Sequence, residues 1–190
     1  MQIMAKIKQM ASMRETSMVS SAPTNAPTMT KQIISADNTA VNAYRPPEAR
    51  RVVADDMQRY PMVAERSYTP RPATESDYLR MLGATGMQRG VLVQISVYGT
   101  DNRYMLEVLS RHPQTLRGIA VVDADVPEQE LERMHQLGVR GLRINVLFGG
   151  GIGFAAMERL AAKIRPLGWH MQFLMDAAQI PELLPRLEKL

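Results

Sequence analysis

From about residue 60 onward the apolar residues of this chain recur with two alternating periods, and the alternation predicts the elements. Thr74 and Asp77 have the spacing of a capping box ahead of a short helix from Ser76 to Leu82, ending near Gly83 or Gly86. Val91 to Ser96 reads as a strand. After the loop of Tyr98, Gly99 and Thr100, one apolar face of Met105, Leu106 and Leu109 marks a helix to His112, where Pro113 stops it. Leu116 to Val122 is the next strand. Asp125 and Glu128 make a second capping-box pair, Leu131, Met134 and Leu137 form the stripe behind it, and Gly138 stands where a left-handed C-cap belongs. A strand from Val139 to Leu147 follows. Met157, Leu160, Ala161 and Ile164 then fit the i, i+3, i+4, i+7 template until Pro166 and Gly168. Trp169 to Asp176 alternates like a strand, with Trp169, Met171, Phe173 and Met175 on one face and His170, Gln172, Leu174 and Asp176 on the other. A helix from Ile180 to Leu190 comes last.

Strands separated by single helices require parallel pairing and right-handed crossovers, which leaves a barrel or a doubly wound sheet. Polar residues gather at the C-terminal strand ends: Gln94 and Ser96, Asp123, Arg143 and Asn145, Gln172 and Asp176. In a barrel those ends line the mouth where active sites lie, so the pattern leans toward a partial (β/α)8 TIM barrel. Four strands are clear, and Arg51 to Ala54 would make a fifth. A full barrel needs roughly 250 residues, so the expectation is an incomplete, truncated one of about four to five β/α units. Its two open parallel edges invite self-association.

Composition narrows the rest. The chain has 190 residues and 45% hydrophobic content, enough for one domain with a real core. The first part of the chain is rich in Met, Ser, Thr and Pro without a sustained apolar period, so residues 1–40 read as a disordered tail and 41–190 as the partial barrel domain. Lys6, Lys8, Arg14 and Lys31 against Glu15 give the first 35 residues +3 of the net +4, leaving the body nearly neutral and nucleic-acid binding unsupported. There is no cysteine, which excludes disulfides and thiolate metal sites, and no apolar run of membrane-spanning length. A cytoplasmic protein is the default expectation.

The segments VLVQISVYGTDNRYMLEVL, LRGIAVVDADV, ELERMHQLGVRGLRINVLFGGG and IRPLGWHMQFLMD resemble successive β-α pieces of the 2-pyrone-4,6-dicarboxylate lactonases in the amidohydrolase superfamily. RYPMVAERSYTP resembles the loop before that family's first barrel helix. The resemblance runs from Arg59 to Leu190 and implies a hydrolase of the metal-dependent-hydrolase fold, acting on a small cyclic ester that bears carboxylates. It also implies three substrate-binding positions. Tyr68 in SYTP would hydrogen-bond the ligand, Ser96 at a strand end would do likewise, and Arg143 in LRIN would clamp a carboxylate. Each has a plainer counterpart: Tyr68 a packed loop aromatic, Ser96 a turn former, Arg143 the partner of Asp123 or Asp176. For Arg143 the alternation with Leu142 and Ile144 independently turns the side chain away from the helices, and an inward arginine needs an anion beside it.

The chain also departs from the family. Where the family has His-x-His this sequence reads PPEARRVVADD, and the third histidine and the general-base aspartate would fall beyond Leu190. Glycine stands where another basic residue often follows the LRIN strand, and the cluster Gly149, Gly150, Gly151 and Gly153 does not fit a dinucleotide fingerprint. The three histidines have no ligand spacing: His112 suits a helix C-terminus, His135 lies on a polar helix face, and His170 opens its strand. No catalytic residue, no metal and no other cofactor is therefore expected. Two classes stay open, an incomplete lactonase-type enzyme and a non-catalytic remnant or interaction module that keeps part of the barrel.

Overall fold

A computed structural model describes residues 51–148 and 151–190. The tail expected over residues 1–40 lies outside them, as do Gly149 and Gly150. Two compact units are distinguished, one running through Ala177 and the other containing Ala178–Lys189. The larger unit is a four-stranded sheet flanked by helices. Its elements are α1 (Glu75–Ala84), β1 (Gly90–Val93), α2 (Arg103–Arg111), β2 (Leu116–Ala120), α3 (Glu128–Gln136), β3 (Val139–Asn145), α4 (Met157–Ile164) and β4 (His170–Leu174). The smaller unit holds α5 (Ile180–Leu187), an eight-residue helix with a proline in its first turn. Among the described residues no helix is long and apolar enough to cross a membrane.

The strands lie side by side in chain order, and every neighbouring pair is parallel. Consecutive parallel strands joined by single helices are the arrangement of a partial (β/α) barrel, as the periodicity predicts. The expected fifth strand is not there. In Arg51 to Ala54, Val53 forms an isolated antiparallel bridge with Ala73, and the segment does not join the sheet. It is nevertheless buried, because Val52 packs with Tyr78, Leu82 and Leu92 while Val53 and Ala54 pack with Ile95, Val97 and Tyr98.

One face of the sheet packs on the helices. Leu92 of β1, Leu116 and Ala120 of β2 and Leu142 of β3 share a core with Met105 and Leu109 of α2, Leu131 and Met134 of α3, and Leu160 and Ile164 of α4. Gly118 sets how closely α2 approaches: a Cβ there would stand 2.6 Å from a Leu109 methyl. Gly138 adopts φ +101° between α3 and β3, the left-handed turn expected for it.

The helix starts divide. Thr74 and Asp77 form their capping box, the Thr74 amide donating to Asp77 Oδ2 at 2.8 Å. The Asp125 and Glu128 pair does not. Pro127 takes the N-cap of α3 without a side-chain bond, and Asp125 instead meets Arg159 of α4 at 2.6 Å. The strands are shorter than the apolar runs that announce them. Beyond Val93 the chain leaves the ladder and coils through a helical turn at Ser96–Tyr98, so Ile95 and Val97 bury themselves in a second cluster rather than in the sheet.

Candidate functional site

Register places the candidate residues. Arg143 is paired with Gln172, one step beyond the Leu142 and Met171 pair. Leu142 belongs to the helix-side core, so alternation turns Arg143 to the opposite face, near the C-terminal end of β3. The same face carries the imidazole of His170, which lies where a Cβ on Gly141 would point. Arg143 is half-buried, and burial pulls its guanidinium below the usual arginine range, with the nearby Tyr68 phenol acting the other way. Neither Asp123 nor Asp176 forms an ion pair with it, and no hydrogen-bond acceptor among the described residues reaches its guanidinium.

Asn145, two positions on, is buried at 5% exposure and does not open outward. Its Oδ1 accepts from the amides of Leu147 at 3.1 Å and Phe148 at 3.3 Å, ending β3 in a side-chain-capped turn. That turn presents Phe148, whose ring meets Tyr68 edge-on at 5.7 Å. Tyr68 also packs against the cluster of Ile95, Val97 and Tyr98 that follows β1. Arg51 lies over its other side: one guanidinium nitrogen donates to the Tyr68 hydroxyl at 3.1 Å, with the cation 5.6 Å from the ring centroid. Tyr68 thus bridges the ends of β1 and β3.

Ser96 is buried at 7% exposure in the turn after β1, and its carbonyl accepts from the Gly99 amide at 2.9 Å. β2 stands between β1 and β3, which puts Ser96 on the order of 10 Å from Arg143 across the sheet. The structure therefore seats Tyr68 against the turn that follows Arg143 and leaves Ser96 two strands away at the same end.

The VYGTDN stretch turns out to be architecture. Asn102 donates to the carbonyls of Thr100 and Val121 and accepts from the Val121 amide, fastening the start of α2 to the end of β2. Gln94 donates to the Asp101 carbonyl, and the Tyr98 hydroxyl accepts from the Ala54 amide. These side chains pin the loops at the C-terminal end. Arg51 carries no periodic signal in the sequence; only the three-dimensional contact with Tyr68 reveals it.

The histidines stand apart from this end. His112 pairs with Glu75, and His170 lies 3.2 Å from Gln172. His135 is not on a purely polar face as its spacing suggests: it stacks on Trp169 and accepts the indole N–H at 2.8 Å. No group of three His, Asp or Glu side chains among the described residues has the geometry to hold a metal.

A family model described as Amidohydrolase matches residues 24–190. The chain is 33% identical over 127 residues to the 2-pyrone-4,6-dicarboxylate hydrolase of Comamonas testosteroni, covering 65% of this chain and 41% of that protein. It is 32% identical over 125 residues to the 4-sulfomuconolactone hydrolase of Rhizobium radiobacter, covering 63% and 42%. Among solved structures, a Pseudomonas putida protein assigned as a 2-pyrone-4,6-dicarboxylic acid hydrolase superposes with a TM-score of 0.62 and 36% identity, over 73% of this chain and 51% of that one. An Acinetobacter baumannii protein of the same assignment, solved with citric acid bound, gives 0.65 and 26% over 73% and 52%. The chain spans less than half the length of these two curated relatives.

Proposed function

The chain belongs to the amidohydrolase family, and from that premise we propose that its sheet carries the carboxylate-recognition part of a lactone site. The observation that carries the reading is Arg143. A half-buried guanidinium on the face opposite the helix-side core, at the C-terminal end of its strand and without a carboxylate partner among the described residues, is poised to take one from a ligand. Its planar fork matches the two oxygens of a carboxylate, which a lysine could not engage with parallel bonds. Tyr68, a loop residue packed against Phe148 of the turn that ends the same strand, would hydrogen-bond the same ligand, and Ser96 would border it on the β1 side. The lactone hydrolases to which the chain is similar make a carboxylate-bearing lactone the ligand class of choice.

Within this reading the chain binds without turning over. Hydrolysis of a lactone needs groups that polarise its carbonyl, and the stretch that corresponds to the family's His-x-His holds PPEARRVVADD, with no imidazole to do so. The test is calorimetric titration of the purified chain with 2-pyrone-4,6-dicarboxylate, followed by a spectroscopic assay of ring opening. Binding should disappear in Arg143→Gln, and ring opening should equal the buffer rate. A rate well above background that Arg143→Ala abolishes would make this chain a complete hydrolase and defeat the binding-only reading.

The sheet edges support one further element of the proposal. Among the described residues β1 pairs only with β2 and β4 only with β3, so two copies meeting edge to edge would join their ladders. Sedimentation equilibrium should then show a dimer. A strict monomer at high concentration would remove this element and leave the Arg143 reading untouched.

A further inference from the structure

The face that carries Arg143 also holds a pair of polar side chains on β4. Gln172 is the ladder partner of Arg143, so the two side chains leave the sheet on one face, with their strands about 5 Å apart. Gln172 does not bond the guanidinium. Its amide nitrogen turns back along β4 and lies 3.2 Å from Nε2 of His170, two positions earlier on the same face. The imidazole has room there because residue 141 is glycine: a Cβ on Gly141 would stand 2.9 Å from the His170 Cε1 and 3.1 Å from its Nδ1. An amide nitrogen donates and does not accept, so Nε2 of His170 is the acceptor, and the proton of the neutral ring sits on Nδ1. The nitrogen and oxygen of an amide lie on opposite sides of its carbon. With the nitrogen held by His170, Gln172 turns its oxygen to the other side, where a ligand of Arg143 would lie.

We propose that His170 is a positioning residue for the anion site at Arg143 and acts through the Gln172 amide. The inference rests on Arg143 being the carboxylate contact. A neutral imidazole holds the amide with its oxygen toward the ligand. A protonated imidazole has N–H on both nitrogens and no lone pair, so it releases the amide nitrogen and donates to the amide oxygen instead. The amide makes a half turn, and its N–H then faces the ligand beside Arg143. A bound carboxylate exchanges a repelling oxygen for a donor, and binding strengthens as pH falls through the histidine range. Of the other charged groups around the ring, Arg143 lies one ladder pair further on, and Arg140 of β3 donates to the carbonyls of His135 and Val139. Arg117 of β2 donates to the carbonyls of Pro113 and Leu116, and Asp176 follows the end of β4. Among the described residues none of them pairs with His170, whose polar side-chain partner is Gln172. A purely structural contact between His170 and Gln172 would leave ligand affinity insensitive to pH.

The experiment titrates 2-pyrone-4,6-dicarboxylate calorimetrically into the full chain from about pH 8 to about pH 5.5 at fixed ionic strength, a window in which the carboxylates of the probe stay ionised. Wild type should bind about fivefold more tightly at the acid end, the effect of exchanging one acceptor for one donor. His170→Asn and Gln172→Leu should each flatten that dependence while binding through Arg143 persists, with thermal midpoints like that of wild type. Nitrogen chemical shifts of the wild-type ring, which require no variant, should show neutral His170 protonated on Nδ1. If Gln172→Leu keeps the full dependence, the imidazolium acts on the anion by its charge alone and the positioning role fails. It fails equally if wild-type affinity does not change with pH, or if the neutral ring carries its proton on Nε2; in each of these cases the Arg143 reading stands. If the probe binds Arg143→Gln as tightly as wild type, or binds wild type at no pH, the Arg143 reading falls and takes this inference with it.

Discussion

Two arginine neighbourhoods in the larger unit are built from similar parts and end in opposite states. On the outer side of α1 and α2, Arg111 donates to Glu75 at 2.9 Å and to Glu107 at 2.9 Å, and Arg59 meets Glu107 at 2.8 Å. Tyr60 donates its hydroxyl to Glu107, and His112 completes the group on Glu75. Around Tyr68 there are again arginines and a phenol, but the phenol accepts from Arg51 instead of donating, and among the described residues no carboxylate pairs with Arg51 or Arg143. The first neighbourhood closes its charges on itself and ties residues 59 and 60 to two helices. The second leaves positive charge uncompensated where the family reading calls for an anion. Residue type alone does not mark a ligand site; the missing counter-charge does.

The sharpest test of the contrast lies between neighbours on β3. Leu142 is 1% exposed and surrounded by helix side chains, so Leu142→Ala should cost about 2–5 kcal/mol of unfolding free energy through lost burial and the cavity left behind. Arg143→Gln should cost less than about 0.5 kcal/mol and could even stabilise, because burial disfavours the charged guanidinium it removes. Urea denaturation of the two variants checks this. A loss at Arg143→Gln comparable to that of Leu142→Ala would mean the guanidinium is held by the fold and is not waiting for a ligand.

The closed neighbourhood has its own signature in alkali. Burial first, then the bond to Glu107, pushes the Tyr60 hydroxyl up to about 12 from its ordinary 10. A tyrosine raised in the folded state favours the neutral form there, so its stabilisation is complete below pH 10 and disappears as pH climbs through about 12. The loss should be on the order of 2 kcal/mol across that window, and Tyr60→Phe should remove this part of the slope. In acid the sign reverses. Arg111 above all holds Glu75 below the usual glutamate range, and the Tyr60 hydroxyl does the same for Glu107, so their contribution is present above about pH 4.5 and lost as pH falls through their lowered values. Tyrosine absorbance near 295 nm, alongside denaturation at each pH, follows the alkaline limb. An early, ordinary titration of Tyr60 would show that its contact with Glu107 is slack in solution.

How much of this was legible in the sequence depends on distance along the chain. The four strands and their helices follow from local periodicity, and Arg143 could be assigned its face from Leu142 and Ile144 alone. Strand ends were less legible because apolar runs continue into turns: Ile95, inside the expected strand Val91 to Ser96, is buried with Val97 in a loop cluster. Asp125 looked like a cap because spacing cannot show that Arg159, far along the chain, claims its carboxylate. Arg51 and Tyr68 are 17 positions apart, and Tyr60 and Glu107 are 47, so neither partnership has a periodic trace.

A smaller effect is expected at the hinge between the closed neighbourhood and its helix. Thr74 caps α1 immediately before Glu75, donating its amide and its hydroxyl to Asp77, the latter at 2.9 Å. Thr74→Ala keeps the amide bond and loses the hydroxyl. The expected cost is about 0.5–1 kcal/mol, read from the thermal midpoint. Because Glu75 should stay on Arg111, the acid limb should keep its shape. A changed acid limb would show that the cap, and not the ion pairs, orients the network.

The smallest effect separates clustering of charge from mere pairing. Arg133 and Glu130 on α3 make a two-armed contact, with both bonds at 2.7 Å, which is as good in geometry as anything in the Glu75 and Glu107 group. The pair is isolated, however, and 53% of the Arg133 side chain is exposed against 43% for Arg111, which shares two carboxylates. Water screens an exposed pair, and ordering two long side chains offsets most of the Coulomb gain, so geometry by itself predicts little stability. Arg133→Ala should therefore lower the unfolding free energy by only about 0.2–0.5 kcal/mol, falling further in molar salt. Arg111→Ala should cost more than Arg133→Ala, because it leaves Glu75 and Glu107 facing each other's surroundings with one shared cation fewer. Equal losses for the two variants would mean that the closed neighbourhood is a set of independent surface pairs, and the contrast with the uncompensated charge around Tyr68 would then rest on Arg143 alone.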